Sequence, residues 1–455
     1  MHDGIEMELL ARCEQGVEAA LRAGADQAEV YAEHDRELSV GFQKNDLDSV
    51  ATHEEATLGI RVLVGGRPGF ATTNSVATLD QVVAEAVATA RSSPRDDTAL
   101  IPEPLRVTAA PALVDPALLA LGPAELARLG SRLLAMILAQ RDPRVPGGRI
   151  SIDNLGLSVT HGARAVASST GVRAAHRSAA AQGGIFGMAI DGAEVGSFSY
   201  DGDAVRRAEE LEPALERAFL RFGEKCLGAL GATTGESFRG PILLPADVVE
   251  EFLVGELVSA LGADSIRSGM SPFKGRVGER IAAPGFTLVE GGAGLDGHPL
   301  TPFDREGMPR QRTVLVEDGV LKGFLYDSYE ARQAGTRSTG HATGGAASLP
   351  RVGATCLSLE GGDRPLAELS RLERGVLVTR FSGTTDASSG DFSGVVKGGF
   401  LVRDGQLRPI KETTIAGNLW TALTRISGRS AETETFQGTR RYPSLVIEDV
   451  SITAG

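Results

Sequence analysis

Between Ala28 and Asn74 the sequence alternates apolar with polar residues, through AEVYAEHD, RELSVGFQ, LDSVATHEEATLGIRVLVGG and PGFATTN. A period of two sets one face of a strand against a core and the other toward water, which a helix of period 3.6 cannot do. The text breaks at turn residues, Gly65-Gly66-Arg67-Pro68-Gly69 the clearest, and so predicts an antiparallel meander. Helical text flanks it. Met7 to Ala25 is amphipathic and ends at Gly24, and Leu79 to Arg91 carries Val82, Val83, Ala86, Val87 and Ala90, with an N-cap near Thr78. After a Pro- and Ala-rich excursion over 92–122, the order repeats as a helix from Pro123 to Gln140 and a strand-rich stretch from Ile150 to Tyr200. A long helix from Asp203 to Leu230 follows, with its stripe on Ala208, Leu211, Leu215, Phe219 and Phe222.

The glycine-rich run 231–240 breaks this pattern and divides the chain into 1–232 and 233–455. The second part opens on Pro241-Ile-Leu-Leu-Pro245 and a helix from Asp247 to Leu261. It then reads as glycine-rich strands, with hairpin signals at Glu317-Asp318-Gly319 and Arg403-Asp404-Gly405. The fold class is α+β: a mixed helix and antiparallel-sheet N-terminal domain, then a β-dominated C-terminal domain.

Charge narrows the partners. With 46 Lys+Arg against 59 Asp+Glu the net charge is −13, which argues against a nucleic-acid surface. An acidic N-terminus without an apolar h-region, and no uninterrupted apolar run of about 18 residues, predict a cytosolic chain with no membrane contact. Cys13, Cys226 and Cys356 form no CxxC pair and read as three buried thiols in a reducing compartment.

With 7 His and 3 Cys, any transition-metal site must be drawn from a small pool. His53-Glu54-Glu55-Ala56-Thr57-Leu58 begins like a zincin motif, but no second His follows one turn later and the segment reads as a strand. Gly292-Ala-Gly-Leu-Asp-Gly297 fits the dinucleotide pattern, yet His298-Pro299 follows where a helix must begin, so it reads as a glycine turn. No two His lie two to five residues apart. His341, inside Arg337-Ser-Thr-Gly-His341-Ala-Thr-Gly-Gly345, is either a cleft wall or part of a structural turn. Glu256 falls within the apolar stripe of the Asp247–Leu261 helix and must border solvent, pair, or line a cleft. The small-residue runs around Gly390 and Asp391, Gly398–Gly405 and Thr413–Leu419 suit either tight strand packing or an edge that accepts an added peptide strand.

Taken in order, Ser271-Pro-Phe-Lys-Gly-Arg-Val-Gly-Glu279, Thr301-Pro-Phe-Asp-Arg-Glu-Gly307, Glu317-Asp-Gly-Val-Leu-Lys-Gly-Phe324, Ser338-Thr-Gly-His341-Ala, Ser389-Gly-Asp-Phe-Ser393 and Thr414-Ile-Ala-Gly-Asn-Leu419 resemble the TldD/TldE (PmbA) family, also labelled modulators of DNA gyrase. The resemblance covers the whole chain and is strongest from Pro241 on. It implies a two-domain chain that pairs with a counterpart around a hollow, peptides bound as an added strand, and a TldD partner with an H-E-x-x-x-H zinc helix and a distant Cys ligand. Counted back from Ser271-Pro-Phe without gaps, the three motif positions fall on Val254, Gly255 and Ser259, and no Cys follows Cys356. The resemblance is therefore to the TldE type, with no catalytic or metal residue in this chain and zinc expected in the partner. A homodimer is the alternative assembly. Glu256, His341, Gly390 and Asp391 stand as possible cleft-wall residues. Two other readings stay open: a self-contained hydrolase built on His341, Glu256 and Asp391, or a regulatory binding protein such as a gyrase modulator.

Overall fold

The computed structural model describes residues 4–106, 114–291, 294–295, 298–299 and 301–455. Helix α1 (Ile5–Arg22) leads into β1 (Gln27–Gln43), β2 (Asp46–Val64) and β3 (Arg67–Thr73), and α2 (Leu79–Ser92) closes the meander. The break expected between AEVYAEHD and RELSVGFQ does not occur. β1 is one 17-residue strand, because Arg164 on the neighbouring strand spans its mid-strand acids, at 2.9 Å from Glu33 and 2.8 Å from Asp35. The reversal comes instead at Lys44 and Asn45, both with positive φ, a two-residue hairpin. Thr78 precedes α2 but does not cap it; its hydroxyl bonds Thr73 and Ser75.

The excursion holds α3 (Pro116–Leu119), and α4 (Pro123–Leu138) follows. Then come β4 (Arg149–Ser168), β5 (Arg173–Asp191), β6 (Glu194–Val195), β7 (Ser199–Val205) and α5 (Ala208–Gly228). The long helix thus starts at Ala208, not Asp203: residues 199–205 pair with β5, and Asp115 accepts the Ala208 N–H at 2.7 Å. The sheet order is β3-β2-β1-β4-β5-β6, with β7 also on β5.

The two faces of this sheet have different fates. Even-numbered residues of β1 lie under helices: Ala28, Val30 and Ala32 under α1 and α2, Val40 and Phe42 under α4 and α5. Odd-numbered ones face the second half of the chain. Tyr31 and Val166 pack with Phe303, Met308 and Ala346. At the same contact Arg61 bridges Glu29 (2.7 Å) and Glu306 (3.1 Å), while Arg305 reaches Glu29 (3.1 Å) and lies 3.8 Å over the Tyr31 ring. Burial pushes the Glu29 carboxyl up, but Arg61 and Arg305 outweigh it and hold it below the ordinary range. Farther along β1, at Ser39 and Gly41, the same face is left open.

The second half begins with β8 (Thr233–Thr234) and β9 (Phe238–Leu244), then one continuous helix: α6 (Ala246–Val249), a π turn (Glu250–Val254) and α7 (Gly255–Ala260). A mixed sheet of fourteen strands among the described residues runs through it, with the C-terminal strand Arg440–Ala454 antiparallel to β9. Phe252 anchors the helix edge-on to Phe381 (5.2 Å) and Phe392 (5.0 Å). The chain is α+β, helices and sheet sharing the first half and strands dominating the second. Cys13, Cys226 and Cys356 are buried free thiols, and the His53 segment lies within β2. Of the Gly292–Gly297 run only Gly294 and Leu295 are described, paired with Pro299 and His298; the rest lies outside the described residues. Among the described residues no helix is long and apolar enough to cross a membrane.

Candidate functional site

A cleft of about 780 Å³ lies between the open face of the first sheet and the second half of the chain. Its floor follows from strand register. Gly41, Gly156, Gly184 and Gly202 stand directly opposite one another across β1, β4, β5 and β7, with Ser49 of β2 completing the row. Ser39, Ser158, Gln182 and Ala204 form a second row beside it. A Cβ at Gly156 or Gly184 would meet no atom nearer than 3.9 Å, so packing does not demand glycine there. The absent side chains leave backbone as the floor. Phe186 and Tyr200 face each other at one end, and Phe198 stacks 5.4 Å from Phe186.

The opposite wall comes from residues 246–248, Glu250, Glu251, Thr379, Arg380, Phe436 and Gln437. Between the walls sits a network anchored on α5. Arg221 meets Asp201 (2.8 Å) and Glu434 (3.1 Å), and Lys225 meets Asp201 (3.2 Å) and, closely, Asp247. Burial pulls the Lys225 ammonium down, but Asp247 and Asp201 more than reverse this, so Lys225 remains a cation. Burial pushes the Asp203 carboxyl up. Among the described residues the lining contains no His and no Cys. Its charges are largely paired.

The helix 246–260 forms part of this wall. Side chains five apart on an α-helix point about 140° away from each other and stack only across a π turn. Here the Gly255 N–H bonds the Glu250 carbonyl, so Glu250 and Gly255 are the stacked pair. Val254 is fully buried while Gly255 and Ser259 are exposed, so Val254 and Ser259 do not face a common point. Glu250 is engaged by Arg440 at 2.5 Å. Gly255 offers no donor atom. A zinc ion does not fit these residues, and among the described residues no group of three His, Cys, Asp or Glu is placed to hold a metal.

None of the four residues expected to wall a cleft lines this one. Glu256 is half-buried on the helix, outside the lining. His341 is fully buried, with Nε2 2.8 Å from Glu290 and Nδ1 2.8 Å from the Thr339 hydroxyl, while Glu290 accepts the Thr355 and Cys356 N–H groups. It pins loops inside the core. Gly390 has φ +82°, with the Trp420 ring where a Cβ would project, and Asp391 accepts from Asn418 at 2.9 Å. Gly390 serves tight packing, while Asp391 is exposed and bonds across its strand pair. Phe381–Thr385 pairs only with Asp391–Val396 among the described residues, so its outer edge is open. The sequence reading missed Arg221, Lys225, Arg380 and the glycine row. Gly156 and Gly184 are visible as strand glycines, but only register shows that they adjoin.

Comparison with known proteins agrees with this architecture. The C-terminal domain of the PmbA/TldA metallopeptidases matches residues 237–454, and their domain 1 matches residues 28–90. An uncharacterized protein of Methanocaldococcus jannaschii is 26% identical over 396 residues, 87% of this chain and 89% of that one. A metalloprotease PmbA homolog of Haemophilus influenzae is 27% identical over 434 residues, 91% of this chain and 89% of that one. The crystal structure of TldE from Thermococcus kodakarensis superposes with a TM-score of 0.84 at 23% identity, covering 97% of this chain and 100% of the other, which establishes a shared fold. The chain belongs to the PmbA/TldD metallopeptidase family.

Proposed function

We propose that this chain is a TldE-type subunit of a cytosolic PmbA/TldD metallopeptidase complex, one that contributes no metal and completes the chamber around the zinc helix of a TldD-type partner. The observation that carries the reading is the wall helix. It occupies the stretch where the family places its zinc motif, its π turn stacks Glu250 on Gly255, and Arg440 engages Glu250. No His lies between His176 and His298 in the sequence. The chain's own part is then to bind and orient an unfolded or short peptide in the cleft and to limit entry to it. Co-expression with an H-E-x-x-x-H partner, with zinc content and peptide cleavage measured for each chain and for the mixture, tests this. Zinc and cleavage are expected only where the partner is present. A lone chain that binds stoichiometric zinc and cleaves peptides refutes it.

A further inference from the structure

Arg380 differs from the other cations of the cleft. Arg221 and Lys225 are held by carboxylates, whereas Arg380 has none within 4 Å among the described residues. Its guanidinium lies 4.1 Å over the Phe198 ring and 5.9 Å from that of Tyr200, and it donates to the Ser197 hydroxyl at 3.3 Å. It is half-buried. Stacking fixes the plane of the fork and leaves the part of its edge not bonded to Ser197 open to a carboxylate, the partner its geometry matches. The residue stands beside Tyr200, at the β7 end of the glycine row. From Ser49 to β7 the row crosses five strands, about 19 Å at the usual spacing, which an extended peptide of about six residues spans. Among the described residues the other charges of the lining without an ion-pair partner within 4 Å are acidic: Glu37, Asp203, which accepts the Ala204 and Gln437 N–H groups, and Glu251, which accepts from the Tyr200 hydroxyl at 3.5 Å and whose charge also acts on Arg380. They disfavour a second negative charge on the ligand.

We propose that Arg380 anchors the free C-terminal carboxylate of an extended peptide, whose last residues lie across the glycine floor and whose other side chains are neutral or basic. This rests on the peptide-handling role above, but its test needs neither zinc nor cleavage, so either can fail alone. The probe is an N-terminally fluorescein-labelled hexapeptide of Ala, Lys and Phe, made as the free acid, as the C-terminal amide, and as the amide with one internal Glu. Anisotropy titrations use the full-length chain. On the unmodified chain both amides are expected to bind about tenfold more weakly than the acid, the loss of one charge-assisted contact. Arg380→Gln should bind the acid as weakly as the amide, and Arg380→Lys should recover part of the preference. Gly184→Val, filling open space above the floor, should weaken acid and amide alike. Equal binding of acid and amide, an Arg380→Gln chain that still prefers the acid, an internal-Glu amide as tight as the acid, or no binding of any probe each overturns the proposal.

Discussion

Glu29 sits 1% exposed between two arginines, and this charge balance fixes what its removal does. Glu29→Ala leaves Arg61 and Arg305 buried against one carboxylate, Glu306, and is expected to destabilise by about 3–5 kcal/mol. Glu29→Gln, which keeps an acceptor, should lose less; urea unfolding of the three chains measures both. Two other groups set opposite responses to pH. Asp327 caps the helix Ser328–Gln333 through the Glu330 N–H, and burial, then the charges of Glu306 and Glu330, pushes its carboxyl up to about 7. Between 3.8 and about 7 the folded chain therefore holds a proton that the unfolded chain has released. Stability falls as pH rises through that window, by up to about 1.4 kcal/mol per unit. His176, half-buried and edge-on to Phe303 at 5.2 Å, is pushed down to about 4 by its desolvation, so between about 4 and 6.5 the unfolded chain binds the extra proton and stability rises with pH. Asp327→Asn should lessen the fall, to which Asp304, also raised to about 7, contributes with the same sign, and His176→Gln should lessen the rise, read from urea midpoints across this range. An unchanged slope in either variant would contradict the corresponding assignment.

At the level of elements, whatever depends on short-range period was readable in advance. The meander of β1 to β3, α1, α2 and the wall helix all announce themselves by spacing. What depends on a partner far along the chain did not. Asp35 and Arg36 resemble a turn until Arg164, more than a hundred residues later, supplies the bridge that keeps them extended. The start of α5 hangs on Asp115 in the same way. The π turn was also invisible, since nothing in Glu250–Val254 distinguishes it from an ordinary helical turn. Glycines likewise divide by context into two classes with different expected costs. At Gly394 a Cβ would lie 2.5 Å from the Gly383 Cα and 2.6 Å from Phe381, so Gly394→Val should destabilise by about 1–3 kcal/mol. Gly184→Val projects into the cleft and should stay within about 0.5 kcal/mol of the parent. Equal losses in thermal unfolding would remove the distinction between packed and floor glycines.

Across the whole molecule, the fold class and the family resemblance were legible, while the cleft was not, because its two walls come from opposite halves of the chain. Glu256, His341, Gly390 and Asp391 drew attention through local chemistry, yet each is used for helix surface, loop pinning, tight packing or a bond across a strand pair. The glycines and arginine that do line the site have ordinary sequence surroundings. One long element joins the contact between halves to the site. β1 carries Glu29 at the buried contact and Gly41 on the cleft floor, twelve positions apart on one uninterrupted strand. At about 3.4 Å per residue that separation is close to 40 Å. That separation is the arm between the arginine–glutamate contact and the cleft floor. Over that arm, a tilt of about 5° of the second half shifts the facing wall by about 3.5 Å, roughly one residue of extended peptide. Arg221–Glu434 and Lys225–Asp247, which tie α5 to the facing wall, oppose that tilt, so the width of the cleft is held from both ends of β1.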